Sequence, residues 1–186
     1  MTAERRTDPI AAARAAEQAE SRSRRVARDQ RIAEHFAAGV PGRGLIRGNL
    51  AATIVMVVVS LLGVIDYDRF AYAAAVVDLV LFGLGVVSFC VALWLGAQRS
   101  RRSVMGIGGW FFLSGTAPAA ARRPLLGALA VQVVVGIAAG IATLGAATSA
   151  GDQATKLAFG TLVPVLGLAV CGWWGARYGL FPDRVE

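Results

Sequence analysis

Residues 103–121 read SVMGIGGWFFLSGTAPAAA. The stretch is uncharged and close to the roughly 20 residues that cross a bilayer, so its placement decides between four and five spans. It carries four glycines and a proline, with Arg99, Arg101 and Arg102 before it and Arg122 and Arg123 after it. If it crossed, one arginine cluster would be translocated. Basic residues beside spans favour the cytoplasmic face, which predicts that both clusters stay there and that the stretch does not span. Met105–Leu113 then reads as an interfacial or re-entrant element, with Trp110, Phe111 and Phe112 dipping into the headgroup layer.

Working outward, four longer apolar segments flank this stretch in pairs: Gly44–Ile65, Ala71–Ala97, Pro124–Ala147 and Thr155–Arg177. None carries a charge near its centre. The expected architecture is all-α: an integral membrane four-helix bundle made of two repeated helical hairpins, with a helical or disordered N-terminal arm. Its parts are a basic cytoplasmic arm (1–43), hairpin one (44–97), a loop (98–123), hairpin two (124–177) and a tail (178–186). The outer turns, Asp66–Phe70 and Thr148–Ala154, are short and carry one arginine between them. Both termini are therefore expected in the cytoplasm of a bacterial cell, with the spans in its plasma (inner) membrane.

Composition agrees. Hydrophobic residues make up 56% of the 186, charged residues only 17%, against roughly 25% charged in soluble domains. Mean hydropathy is +0.58. The net charge of +7 could suggest nucleic acid, but the basic residues sit beside spans, where topology and anionic headgroups account for them. In the arm, Asp8-Pro9 is a helix start and Pro41-Gly42 a stop. Arg22, Arg24, Arg25, Arg28 and Arg31 either rest on anionic headgroups or belong to a solvated arm. Trp94, Trp173 and Trp174 are expected in the headgroup belt at the cytoplasmic ends of spans two and four.

Residues 43–98 laid over 122–177, at an offset of 79 without gaps, share twelve identities in 56 positions, including Trp94/Trp173, Gly96/Gly175 and Ala97/Ala176. Both copies start inside, which predicts a parallel repeat. Asp78 then aligns beside Lys156, and the two are expected to pair near the outer ends of spans two and four. Asp78 is the only acid in a span, and membrane acids are candidate ion-coupling groups; counted back about 20 residues from Trp94, it falls in the first helical turn. Asn49 and Gln132, with Thr53 and Ser60, are candidates for interhelical hydrogen bonds, Gln132 foremost. Gly136 and Gly140 form a close-packing step, serving the bundle or self-association. Pro164 and its repeat partner Gly85 predict a bend in both spans at one depth.

Several chemistries lack their residues. His35 is the only histidine and Cys90 and Cys171 are not a CxxC pair, so no metal, haem or disulfide-exchange site is expected. No phosphate-binding glycine loop with a lysine occurs, and no cofactor or enzymatic activity is expected. The stretches FFLSGTAPAAARRPLL (111–126) and FGTLVPVLGLAVCGWWGARYGLFPDR (159–184) resemble small multi-pass proteins of actinobacterial envelopes, over residues 105–184. The resemblance implies a plasma-membrane address and no particular activity. The expected role is an accessory or scaffold subunit of an envelope complex, with a membrane or cytoplasmic protein partner or a second copy. The alternative is a small ion or solute transporter.

Overall fold

In the computed structural model, residues 9–144 and 154–184 are described. They form helices α1 (Pro9–His35), α2 (Arg43–Ile65), α3 (Tyr67–Ser100), α4 (Ile107–Trp110), α5 (Ala119–Leu144), α6 (Ala154–Ala158) and α7 (Pro164–Tyr178), with a 3₁₀ turn at Phe159–Leu162 between the last two. Asp8, the expected cap of α1, and residues 148–153 of the expected second outer turn lie outside the described residues. Four helical stretches are long and apolar enough to cross a membrane: α2, α3, α5 and the α6–α7 run. The chain is a multi-pass helical membrane bundle.

Residues 1–38 and 39–186 form two compact units. The first is α1. Every side chain from Ala13 to Arg31 on it is exposed, and Arg24 pairs with Glu20 one turn back. The second unit holds the spans.

In lipid, burying apolar area drives helix association weakly, so close approach and polar contacts must do it. The inward faces reflect this. On α2 they are Asn49, Thr53, Met56, Ser60 and Gly63, on α3 Ala71, Ala74, Asp78, Leu81, Gly85, Ala92 and Gly96, and on α5 Leu125, Ala128, Gln132, Gly136 and Ala139. The steps of three and four keep these on one seam of each helix. Large aliphatics such as Ile54, Val58, Val87, Val134 and Ile141 face outward.

The α6–α7 run is the core. Over half of its apolar window is buried, against 22–28% for the other three. It passes between α3, α5 and α2.

Three boundaries differ from the sequence reading. The outer turn expected at Asp66–Phe70 shrinks to Asp66, which ends α2 and caps α3 by accepting from the Arg69 amide at 3.3 Å. α5 begins five residues before Pro124, with that proline inside it. α3 runs unbroken through Gly85, while the fourth span breaks before Pro164. A proline removes a helical N–H and clashes one turn back, whereas glycine does neither. Gly85 instead admits α7, since a Cβ there would lie 2.8 Å from the Leu166 amide nitrogen.

The loop between α3 and α5 also departs from expectation. Two of the three aromatics expected in the headgroup layer, Trp110 and Phe111, turn inward instead, together with Leu113. The Trp110 indole donates to the Gly172 carbonyl at 2.9 Å, while Leu113 is fully buried and Phe111 nearly so. Glycines make the hollow: a Cβ on Gly96 would strike the Trp110 ring, one on Gly172 the Phe111 ring, and one on Gly175 the Trp110 carbonyl. Phe112 and Ile107 face outward. The tail clamps this plug through backbone bonds from Leu180 to Thr116 (2.8 Å), Val104 to Pro182 (2.9 Å) and Arg184 to Arg102 (2.9 Å).

Candidate functional site

Two polar layers lie one above the other inside the bundle. The first is centred on Gln132 of α5, which is fully buried. Its amide nitrogen donates to Thr53 Oγ1 at 2.8 Å and to Asn49 Oδ1 at 3.2 Å, both on α2. Its oxygen accepts from the Gly167 amide of α7 at 3.1 Å. That amide is available because α7 restarts at Pro164, and the first N–H groups of a helix have no partner within it. Gly167 also lets the amide approach: a Cβ there would collide with Gln132 Oε1. One side chain thus joins three spans. Thr53 in turn donates back to the Asn49 carbonyl at 2.8 Å, and Asn49 Nδ2 has no partner among the described residues.

The second layer lies one helical turn along α5, at Gly136. A Cβ on Gly136 would sit 2.5 Å from the Gly160 carbonyl oxygen, so α5 and the 3₁₀ turn touch backbone to backbone. Gly160 in turn faces Asp78 of α3 and Met56 of α2: its Cβ would lie 3.2 Å from Asp78 Oδ2 and 3.9 Å from Met56 Cε. Asp78 is fully buried, and neither carboxylate oxygen has a hydrogen-bond partner among the described residues. Pro164 has no N–H to offer the Gly160 carbonyl, which accepts instead from Val163 at 3.3 Å. The register that sets Gly63 against Ala74 brings Ser60 and Asp78 to one level a turn further in. Ser60 Oγ is also buried without a partner among the described residues.

The layer sits deep. Met56 is thirteen residues from the start of α2 and nine from its end, roughly 20 and 14 Å at 1.5 Å per residue. The expected place of Asp78, in the first turn near the outer interface, is corrected. α3 starts at Tyr67 and spans 34 residues, so a count of about 20 back from Trp94 stops well short of its end.

The expected partnership of Asp78 with Lys156 is not made. Leu157 takes the inward position against Gly63 at the next layer, and neighbours on a helix diverge by about 100°, which turns half-buried Lys156 aside.

The remaining candidates are placed as follows. Gly136 and Gly140 both face the 3₁₀ turn, Gly140 at ordinary contact distance from Thr161, so this step is used within the chain. Trp94 is 67% exposed and Trp173 half-buried. Trp174 is corrected: it is fully buried and donates to the Pro41 carbonyl at 3.0 Å. Gly42, at φ 67°, lets the chain pass over it, since a Cβ there would meet Tyr178 and Trp174. Arg22, Arg24, Arg25, Arg28 and Arg31 are exposed on α1. No group of three metal-ligating side chains occurs among the described residues.

Met56, Gly160 and Ser60 were not singled out as companions of Asp78. The inward spacing of Met56 and Ser60 on α2 was the available signal; the break after Gly160 was signalled by Pro164 alone. Comparison with protein-family models, with curated proteins and with solved structures returned no match, so the site is read from its own geometry.

Proposed function

We propose that this chain is a non-enzymatic membrane protein that moves a proton or small cation, alone or coupled to a solute, with Asp78 as the group that binds the ion. The observation that carries this reading is a fully buried carboxyl with neither oxygen partnered among the described residues, set against a broken helix. A carboxylate in the bilayer interior is expensive and is retained where it has work to do. A proton, or a cation also held by the Ser60 hydroxyl and the Gly160 carbonyl, would satisfy it. Discontinuous spans commonly form such sites near the midplane, and here three glycines (85, 136 and 160) surround the break.

The test is addition of a hydrophobic carbodiimide to the full chain in proteoliposomes. The reagent adds only to a protonated carboxyl, so an adduct on Asp78 that declines with rising pH or added cation is expected. Asp78→Asn should abolish both the adduct and ion flux, while Asp68→Asn, on the exposed first turn of α3, should preserve both. Equal flux in wild type and Asp78→Asn, or no adduct on Asp78 at any pH, rules the reading out.

A second reading, an accessory subunit of an envelope complex in the plasma membrane, is favoured by the exposure of every side chain from Ala13 to Arg31 on α1. The loop between α3 and α5 contributes less to it, because Trp110, Phe111 and Leu113 are used internally. Deleting residues 9–35 should then release stoichiometric partners from the detergent-extracted complex. Retention of every partner counts against docking through α1.

A further inference from the structure

The ends of α3 and α7 border an open cavity of about 680 Å³ lined by Gln98, Arg99, Arg101, Arg102, Arg177 and Asp183, among others. Four arginines face one carboxylate there. Helix C-termini carry partial negative charge, so basic residues at this end have an ordinary structural use. Arg99 fills it: its guanidinium donates to the carbonyls of Ala176 (2.8 Å) and Gly179 (2.5 Å) and stacks 5.2 Å from the Phe181 ring. The other three are left over. Arg101, Arg102 and Arg177 are exposed and make no ion pair among the described residues, and Asp183 makes none with any of them.

The cavity is built rather than incidental. The Arg102 backbone is held by the bond from the Arg184 amide and by the bridge between Ser103 and Asp183, and Arg177 stands on the last turn of α7. Leu95 lines the span side of the cavity, one residue from the exposed Trp94. Guanidinium groups match phosphate oxygens in pairs, and basic pockets at the ends of membrane helices suit phosphorylated headgroups.

We propose that this cavity binds a phosphate-bearing anion, held by Arg101, Arg102 and Arg177 over the fixed floor of Arg99. The site is separate from the Asp78 layer and does not rest on the reading given for it. The phosphate can come from an anionic lipid or from a soluble compound, and the experiment distinguishes them.

The full chain in neutral detergent is titrated with phosphatidylglycerol, phosphatidylcholine and inorganic pyrophosphate, with retained adducts read by native mass spectrometry. Three variants are compared: Arg101→Gln/Arg102→Gln, Arg177→Gln, and Arg122→Gln/Arg123→Gln. The last removes two exposed arginines from the start of α5, outside the cavity. Binding of phosphatidylglycerol but not phosphatidylcholine, weakened about thirtyfold by the first double variant, several-fold by Arg177→Gln and not by the control, supports a lipid site. The same pattern with pyrophosphate supports a soluble ligand. Equal weakening by both double variants would reduce the effect to general surface charge and overturn the proposal, as would binding unchanged in all three. Should the double variant fail to fold, Arg177→Gln carries the same comparison.

Discussion

Replacing Gly136 by valine is expected to destabilise the bundle by about 3 kcal/mol, the upper end of the usual range for overpacking. A new Cβ would lie 2.5 Å from the Gly160 carbonyl oxygen and 3.0 Å from its carbon. These are backbone atoms, so no rotamer change relieves the clash. The 3₁₀ turn would have to move off α5, and it is the wall of the Asp78 layer. The detergent-solubilised variant should melt roughly 10 °C lower. Gly127→Ala is the internal control: it lies on the same helix with no neighbour within 4 Å, and should melt within roughly 2 °C of wild type. Matching melting points for Gly136→Val and wild type would disprove the backbone contact.

Gln132→Leu should cost about as much by a different route. Three hydrogen bonds are lost, each worth roughly 0.6–2 kcal/mol within a membrane bundle. More important, the Gly167 amide loses the buried acceptor that Gln132 supplies at the start of α7, and leaving one partner of a buried bond unmade costs about 1–3 kcal/mol. A loss of about 3 kcal/mol is therefore expected. The specific readout is hydrogen exchange: the Gly167 amide should lose protection in Gln132→Leu while amides in the later turns of α7 keep theirs. Gln132→Glu retains the acceptor and should protect Gly167 better than leucine does. Identical protection in all three proteins would show that Gln132 does not cap α7.

The span count was legible because it depends on hydropathy and on arginine placement, both local. The inward seams were legible too, had the apolar rule been inverted. On α2 the positions Asn49, Thr53, Met56, Ser60 and Gly63 recur at steps of three and four, and they include every polar side chain between Asn49 and Ile65. In lipid, small and polar residues mark the interior.

Depth was not legible for Asp78. The length of α3 is fixed by where Asp66 caps it, and 34 residues exceed what a bilayer requires. Nor was the inward turn of Trp110 and Phe111, since aromatic residues beside arginines read equally well as a headgroup belt. Only the spacing of Gly96, Gly172 and Gly175, on two helices far apart in sequence, shows the hollow that receives them. Thr53 and Gln132, 79 residues apart, share a hydrogen bond, and Gly96 and Gly175 both lie against Trp110. The break at Pro164 has no counterpart in α3.

The enclosed position of α7 has a consequence for biogenesis. Translation delivers α2, α3 and α5 to the bilayer first, with Asn49, Asp78 and Gln132 already committed to it. Their seams have nothing to close on until residues 154–178 emerge, and the loop plug has no Gly172 or Gly175 to receive it. A nascent chain is thus a three-span intermediate with a polar stripe open to lipid, and release from whatever shelters that stripe is set by arrival of the last span. Nonsense truncations before residue 154 would leave this intermediate permanently, in the form that membrane quality control is suited to remove.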